Sequence, residues 1–481
     1  MSTATEPAAG GGGGGVGAPV ADNAAAAAAG GAGGVGADAA AAAAATLRSF
    51  LVDLCCGLNR DETVGGPCLS REQLAQLAGT LLAPDALVHP DGLLGAAPEL
   101  TGPLAFLDII EAERAAYKTV GLETLLTAAS PDGDVAFALS RYRMHNVGPW
   151  RGQPATGRVS EGVRLDELRL NTAGQVVEAW CNRQLFEEER SLLLRDPPTH
   201  HAACFDPAWL VPVPAGPGGS GGEAGGSSEA GGGGGGGTNP MSAEQLLRVA
   251  RMWAEAWNCA ADAGPPDPDL LDGLAEPGFS MWDALGLTGD QGQSHPYTAV
   301  KGLDAAKATL TSMAQKYDVE ETVQAAAAQP GYNAVFLHWV AKLTPRPDTP
   351  APLNPAATAA GGGGADEAAT GIAAAAGAAG NADAGGDMAA AAAAPTAPYH
   401  AEATDLLIFS PTSGKLTDVF QFRRPLGSDR RAVLKGPAAA KRAAAAADMS
   451  PAGVHGSVSG GGGGGGAVEA AQQQQQQGLV A

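Results

Sequence analysis

The sequence is poor in aromatic and charged residues. Over 481 residues, aromatics make up 5% and charged residues 17%. A single globular domain of that length needs more bulky apolar side chains to close its core. One uniform domain is therefore excluded. Positive charge is also scarce, with 29 Lys and Arg against 51 Asp and Glu and a formal charge of −22. That balance repels phosphate backbones and anionic lipid, so neither nucleic acid nor a membrane surface is expected as a partner. One basic cluster exists: Arg423, Arg424, Arg430, Arg431, Lys435, Lys441 and Arg442. It reads as a solvated end, with a weak nuclear-import signal as the alternative.

Cysteines number six (Cys55, Cys56, Cys68, Cys181, Cys204 and Cys259), and no CxxC pair is present. Adjacent Cys55 and Cys56 cannot easily bridge each other. Neither a disulfide framework nor a zinc site follows, and reduced thiols in an intracellular protein are expected. No His, Asp or Glu spacing suggests a metal site. The Gly runs lack the Lys-Ser/Thr of a phosphate loop, so no cofactor is expected. Long bulky apolar runs are missing too, because Ala is weakly hydrophobic and Arg48 interrupts the strongest candidate. A secretory signal would need a basic start, and a transit peptide would lack the Glu6, Asp22 and Asp38 that precede Arg48. The expected location is the cytoplasm, with the nucleus as the alternative.

What the sequence has in excess is small residues, including 70 Gly. The excess falls in residues 1–45, 198–241, 346–397 and 437–481. These read as disordered spacers. Two islands of ordinary composition remain, 46–197 and 242–436, the second interrupted by the 346–397 insertion.

Each island begins helical. Leu47, Phe50, Leu51 and Leu54 recur at helical spacing. Ser70 with Gln73 forms a capping-box pattern ahead of Leu74, Leu77 and Leu81. A third helix is predicted from Pro103 to Tyr117, with Gly102 before it. A period of two follows, predicting strands near 120–129, 134–145, 158–170 and 175–186. In the second island Ser242 and Gln245 repeat the capping box, and Leu246, Val249, Trp253 and Trp257 share a helix face. A helix over 302–317 and strands over 334–344, 402–410 and 415–424 follow. Helices followed by strands imply an α+β class, with helices on one side of an antiparallel sheet.

The islands match each other. Gly102 to Tyr117 has the same spacing as Gly302 to Tyr317. Gly174, Glu178, Trp180 and Arg183 have the spacing of Gly414, Asp418, Phe420 and Arg423. Two ends matching in the same order argue for a duplicated domain.

The first island resembles a SnoaL-like domain of the nuclear transport factor 2-like superfamily over residues 46–190. The similar segments are Leu82 to His89, Thr101 to Tyr117, His145 with the loop Gly152 to Arg158, and Gly174 to Trp180. The resemblance implies a cone, in which a curved sheet wraps three helices around an apolar pocket. It also implies association through the sheets, as a homodimer or as a pseudo-dimer of the two fused copies. Members include polyketide cyclases and isomerases as well as binding and assembly modules. In cyclase-type members an Asp acid/base lies four residues after the Trp. Here that position is Gln184, and its counterpart after Phe420 is Arg424. Neither can exchange a proton near neutral pH.

Alternation places Glu178, Trp180, Asn182 and Gln184 on one strand face. It places Phe137, Leu139, Arg141, Arg143 and His145 on another. With Phe420, Phe422 and Arg424, these form the expected pocket lining. His145, Arg141 and Glu178 are the candidate catalytic groups, since an Arg/His/Glu cluster can polarise a carbonyl and move a proton. The competing reading makes Arg141, Arg143 and Glu178 cross-strand ion pairs on a solvated face. Binding of an apolar small molecule, or of partner domains, is the leading expectation. A hydrophobic-carbonyl cyclase or isomerase and an assembly scaffold are the alternatives.

Overall fold

Helix α1 (Val35–Arg48) starts inside the Ala run, well before the expected boundary at residue 46. Alanine is the best helix former, and Asp38 and Arg48 sit at the ends that the helix dipole favours. Ala43 and Leu47 anchor this helix in the core. We describe the computed structural model over residues 35–89, 100–150, 154–186, 188–189, 205–213, 241–259, 266–284, 298–346 and 398–423. The expectations for 1–34, 214–240, 347–397 and 424–481, with Arg424 among them, lie outside the described residues.

A π-helical stretch, Ser49–Cys55, continues α1 and buries Phe50, Leu51, Leu54 and Cys55. Such turns insert an extra residue and often mark functional sites. Short α2 (Glu62–Gly65) and α3 (Arg71–Leu81) follow, the latter with the predicted Ser70 capping box. Next come strand β1 (Leu82–His89), strand β2 (Leu100–Thr101) and helix α4 (Pro103–Ala116). Gly102 caps α4 at φ 85°, a conformation that favours glycine. Four long strands complete the first half: β3 (Tyr117–Ala129), β4 (Val135–Asn146), β5 (Val159–Leu170) and β6 (Val176–Arg183).

The sheet order is β2-β1-β6-β5-β4-β3. β1 runs parallel to β6, so the sheet is mixed and not purely antiparallel as the sequence pattern implied. The pairing shifts register between Leu82 and Leu87, around Pro84. That irregularity broke the alternation that would have revealed the strand.

The second half repeats the plan. Helix α5 (Ala243–Trp257) carries the Ser242 capping box and is followed by α6 (Leu270–Leu274). β7 (Ala275–Asp283), β8 (Thr298–Lys301) and helix α7 (Leu303–Lys316) come next, with Gly302 capping α7 at φ 90°. β9 (Tyr317–Gln329), β10 (Ala334–Pro345), β11 (Tyr399–Phe409) and β12 (Leu416–Arg423) complete the order β8-β7-β12-β11-β10-β9. The same α+β architecture thus occurs twice. β9 contains Ala325 to Ala328, a run with little strand signal of its own. Pairing along the whole length of β10 holds it extended.

Each sheet curves around its own helices and encloses a core: one from Ala43 to Ala179, the other from Leu246 to Val419. A third core lies between the sheets. There Phe137 stacks on Phe336, with ring centroids 5.4 Å apart and planes 4° from parallel. The segment 205–213, read as part of a linker, is packed against this layer. Phe205 is 1% exposed, and Trp209 stacks on Phe420 and Trp282. Its aromatic residues set it apart from the Gly/Ser stretch that follows.

Candidate functional site

The first cone contains a partly open cavity of ≈ 80 Å³. Helix α4 supplies Phe106, Ile109 and Ile110 to its apolar wall, and Trp150 adds an indole. Its polar lining is Glu113 and Arg114 from the same helix, Arg164 from β5 and Arg183 from β6. Cys55, delivered by the π-helical stretch, and Cys181 also line the cavity. β5 and β6 position Arg164 and Arg183 by alternation. Leu168, Ala179 and Val176 are inner-face core residues, so Arg164, Asp166, Cys181 and Arg183 also point inward.

Each guanidinium has a carboxylate. Arg164 donates from Nε to Asp166 Oδ2 at 2.7 Å, and Nη2 reaches the second oxygen. Burial disfavours the charge on Arg164, but Asp166 outweighs this and holds it firmly protonated. Arg183 makes a two-pronged pair with Glu189, at 2.7 and 2.9 Å. Burial raises the Glu189 carboxyl, but the Arg183 charge prevails and keeps it below the usual range. Arg114 pairs with Glu113. Burial pushes the Cys55 thiol up to about 12, against the pull of Arg164. Burial likewise raises Cys181. Both thiols are neutral at physiological pH and are poor nucleophiles.

The second cone differs. Asp405 occupies the position of Asp166: each lies on the inner face of its strand, opposite Gln421 and Cys181 respectively. Asp405 is 3% exposed; Trp339 Nε1 donates to its Oδ2 at 2.9 Å, and Oδ1 has no hydrogen-bond partner among the described residues. Burial pushes its pKa up to about 7, against the hydrogen bonds of Trp339 and Gln421 and the charge of His338. Burial raises Glu321 well above the carboxylate range, and the charge of Asp405 adds to this. Arg423, the counterpart of Arg183, pairs with Asp283 at 3.3 Å inside this cone and not at a solvated end.

The pocket residues expected from sequence lie elsewhere. Phe137, Leu139, Arg141, Arg143 and His145 do share a face of β4, but it points away from the cone. Phe137, Leu139, Phe420 and Phe422 are packed in the layer between the sheets. Arg141 pairs with Glu123 at 2.8 Å and Arg143 with Glu161 at 2.7 Å, both half-exposed cross-strand ion pairs. His145 is half-buried near the end of β4. The structure therefore does not bring Arg141, His145 and Glu178 into one cluster. The inner face of β4 carries the small residues Ala136 and Ala138, a weaker signal than its aromatic outer face. Gln184 is buried, and its Oε1 accepts from the Val163 N–H at 3.3 Å. Asn182 is half-buried on β6.

Trp180 and Glu178 join a polar network that crosses between the sheets. Glu178 accepts from His89 Nε2 at 2.8 Å, and the His89 ring stacks on Trp180 at 4.8 Å. Trp180 Nε1 donates to Glu402 at 2.7 Å. His338 bridges the halves, with Nδ1 2.9 Å from Glu167 and Nε2 3.2 Å from Glu402.

Sequence reasoning missed Arg114, Arg164, Asp166 and Asp405. Counting back from the matched Gly174 and Gly414 places the two Asp residues one position out of register, a signal visible only once the repeat is aligned. Among the described residues, no His/Cys/Asp/Glu group could hold a metal ion, and no helix is long and apolar enough to cross a membrane.

No family model matches the sequence, and no curated protein matches it. Solved structures do. A candidate SnoaL-like polyketide cyclase from Jannaschia Sp. CCS1 is 12% identical, with a TM-score of 0.25, covering 32% of this chain and 91% of that one. IdmH, a candidate polyketide cyclase from Streptomyces antibioticus, is 19% identical with a TM-score of 0.22, covering 29% and 91%. AclR, a candidate hydroxylase from Streptomyces galilaeus, is 18% identical with a TM-score of 0.21, covering 29% and 89%. The strand order of the two sheets defines the architecture.

Proposed function

We propose that the chain is a tandem of two SnoaL-like domains, 46–197 with α1 added and 242–436, derived by duplication. The first domain binds an apolar small molecule in its cone, and the second serves as its fixed partner. The observation that carries this reading is the cavity, lined by both hydrocarbon and guanidinium groups. Convergent polar groups in an apolar cleft are the ordinary form of a small-molecule site. Several features support the duplication: equal helices after Gly102 and Gly302, the same strand order, and Asp166 matching Asp405. The neighbours described as polyketide cyclases agree with a role in handling small molecules.

The test is mass spectrometry of molecules that co-purify with the full chain, alongside an Ile110→Trp variant that fills the cavity. The wild type retains a small molecule and the folded variant does not. Equal loading of both would overturn the reading.

A second reading, as an enzyme, is favoured by Asp405. A buried carboxyl with a pKa near 7 and one unbonded oxygen can take and return a proton near neutral pH. This reading requires turnover of a hydrophobic carbonyl compound that rises through pH 7 and disappears in Asp405→Asn. Turnover that survives this substitution would exclude it.

A further inference from the structure

Arg114 is 3% exposed at the end of α4. Its Nη1 donates to Thr119 Oγ1 at 2.7 Å, and Nη2 pairs with Glu113. Its Nε is buried and has no hydrogen-bond partner among the described residues. A desolvated guanidinium N–H without an acceptor is unfavourable, and a ligand oxygen would relieve it. This side chain lines the cavity. Asp166 and Glu189 sit behind Arg164 and Arg183 and do not line it, and the two thiols are neutral. Among the described residues, Glu113 is therefore the one carboxylate on the cavity lining. It is 21% exposed at its side chain and can swing toward solvent.

We infer that the first cone takes a small apolar carboxylic acid. The carboxylate accepts from the unpartnered Arg114 Nε–H and competes with Glu113, which pairs with Nη2, for the guanidinium charge; the hydrocarbon part rests on Phe106, Ile109, Ile110 and Trp150. This rests on the reading of the first cone as a binding pocket. Size sets a limit: ≈ 80 Å³ is smaller than the roughly 150 Å³ cavity that takes benzene. The acid group therefore fits inside, while a ring reaches the open mouth. Benzoate is a suitable probe, with benzamide as its neutral isostere.

Calorimetric titration of the full chain at pH 7 tests the inference. Benzoate is expected to bind at least tenfold more tightly than benzamide. Arg114→Lys keeps the charge but removes Nε, and should erase that preference. Glu113→Gln removes the competing carboxylate and should tighten benzoate binding; it gives an answer even if Arg114→Lys fails to fold. Equal affinity for the two probes, or binding by neither, would overturn the acid inference. Benzoate binding that persists unchanged in Ile110→Trp would instead overturn the pocket reading beneath it.

Discussion

His338 clamps the two halves together, and its charge makes that clamp sensitive to pH. It is 1% exposed and sits between Glu167 of the first sheet and Glu402 of the second. Burial alone would push its pKa down. The two carboxylate hydrogen bonds and charges outweigh burial and raise it to about 9 from 6.5. A group raised on folding stabilises fully below its unfolded pKa, and the gain is lost as pH rises through the folded value. At about 1.36 kcal/mol per unit, this shift is worth roughly 3 kcal/mol, present below pH 6.5 and gone above about pH 9. Urea unfolding of the wild type and of His338→Gln, compared at intervals from pH 5 to pH 10, reads this directly. The wild-type advantage should be largest at the acid end and shrink steadily between about pH 6.5 and pH 9. At pH 6 the variant should lose about 3 kcal/mol, since buried Glu167 then keeps only the more distant Arg169, 3.6 Å away, as its cation. A difference between the two proteins that does not change over this range would refute the reasoning.

Gly162 on β5 leaves room for the Tyr142 ring: a Cβ there would lie 2.7 Å from Tyr142 Cζ. Gly162→Ala should cost about 1–3 kcal/mol in chemical denaturation, because the ring is fully buried and its hydroxyl donates to the Gln184 carbonyl. Alkylation of the native protein should separate the thiols. Exposed Cys68 should react with iodoacetamide at pH 8, while Cys55, with its thiol pushed up to about 12, should stay unmodified in a peptide mass spectrum.

Local signals of helix and strand were plain in the sequence, while the side of the sheet that bears the site was not. The Ser70 and Ser242 capping boxes and the Gly102 and Gly302 starts all appear as read, because each depends on neighbouring residues only. β1 was hidden by Pro84, and β9 by its Ala run, since both are held by partners distant in sequence. Period-two alternation divides a strand into two faces but does not say which is concave. In β4 the aromatic face, Phe137 and Leu139, looked like a pocket lining. It packs instead against the other half, and Phe137 meets its own counterpart Phe336. That contact of equivalent residues is the mark of a twofold-type interface. Once an outer face is buried between sheets, hydrophobicity no longer distinguishes it from an inner one.

The same equivalence sets a difference between the two cones at one inward position. Ala138 pairs with Asp166 as Leu337 pairs with Asp405, so the next inward residues, Ser140 and Trp339, correspond. The first cone places a small side chain opposite Arg164, where the second places an indole opposite Ala403. Trp339 is 5% exposed and packs in a core with Trp253, Trp257 and Phe279, so in the second cone hydrocarbon takes up this space. It also supplies the N–H that bonds Asp405. Trp339→Phe should retain most of the volume and lose only the donor, with an added cost at pH 8 of at most about 1.4 kcal/mol, since Asp405, with a pKa of about 7, takes up a proton once the donor is gone. Trp339→Ala should cost about 3–5 kcal/mol by opening a cavity. Calorimetric melting of the two variants at pH 6 and pH 8 separates these terms. The Phe variant should approach wild-type stability at pH 6, where Asp405 is mostly protonated, and fall behind at pH 8. A Phe variant equally destabilised at both pH values would mean that the indole matters only as packing, and that Asp405 does not titrate in this range.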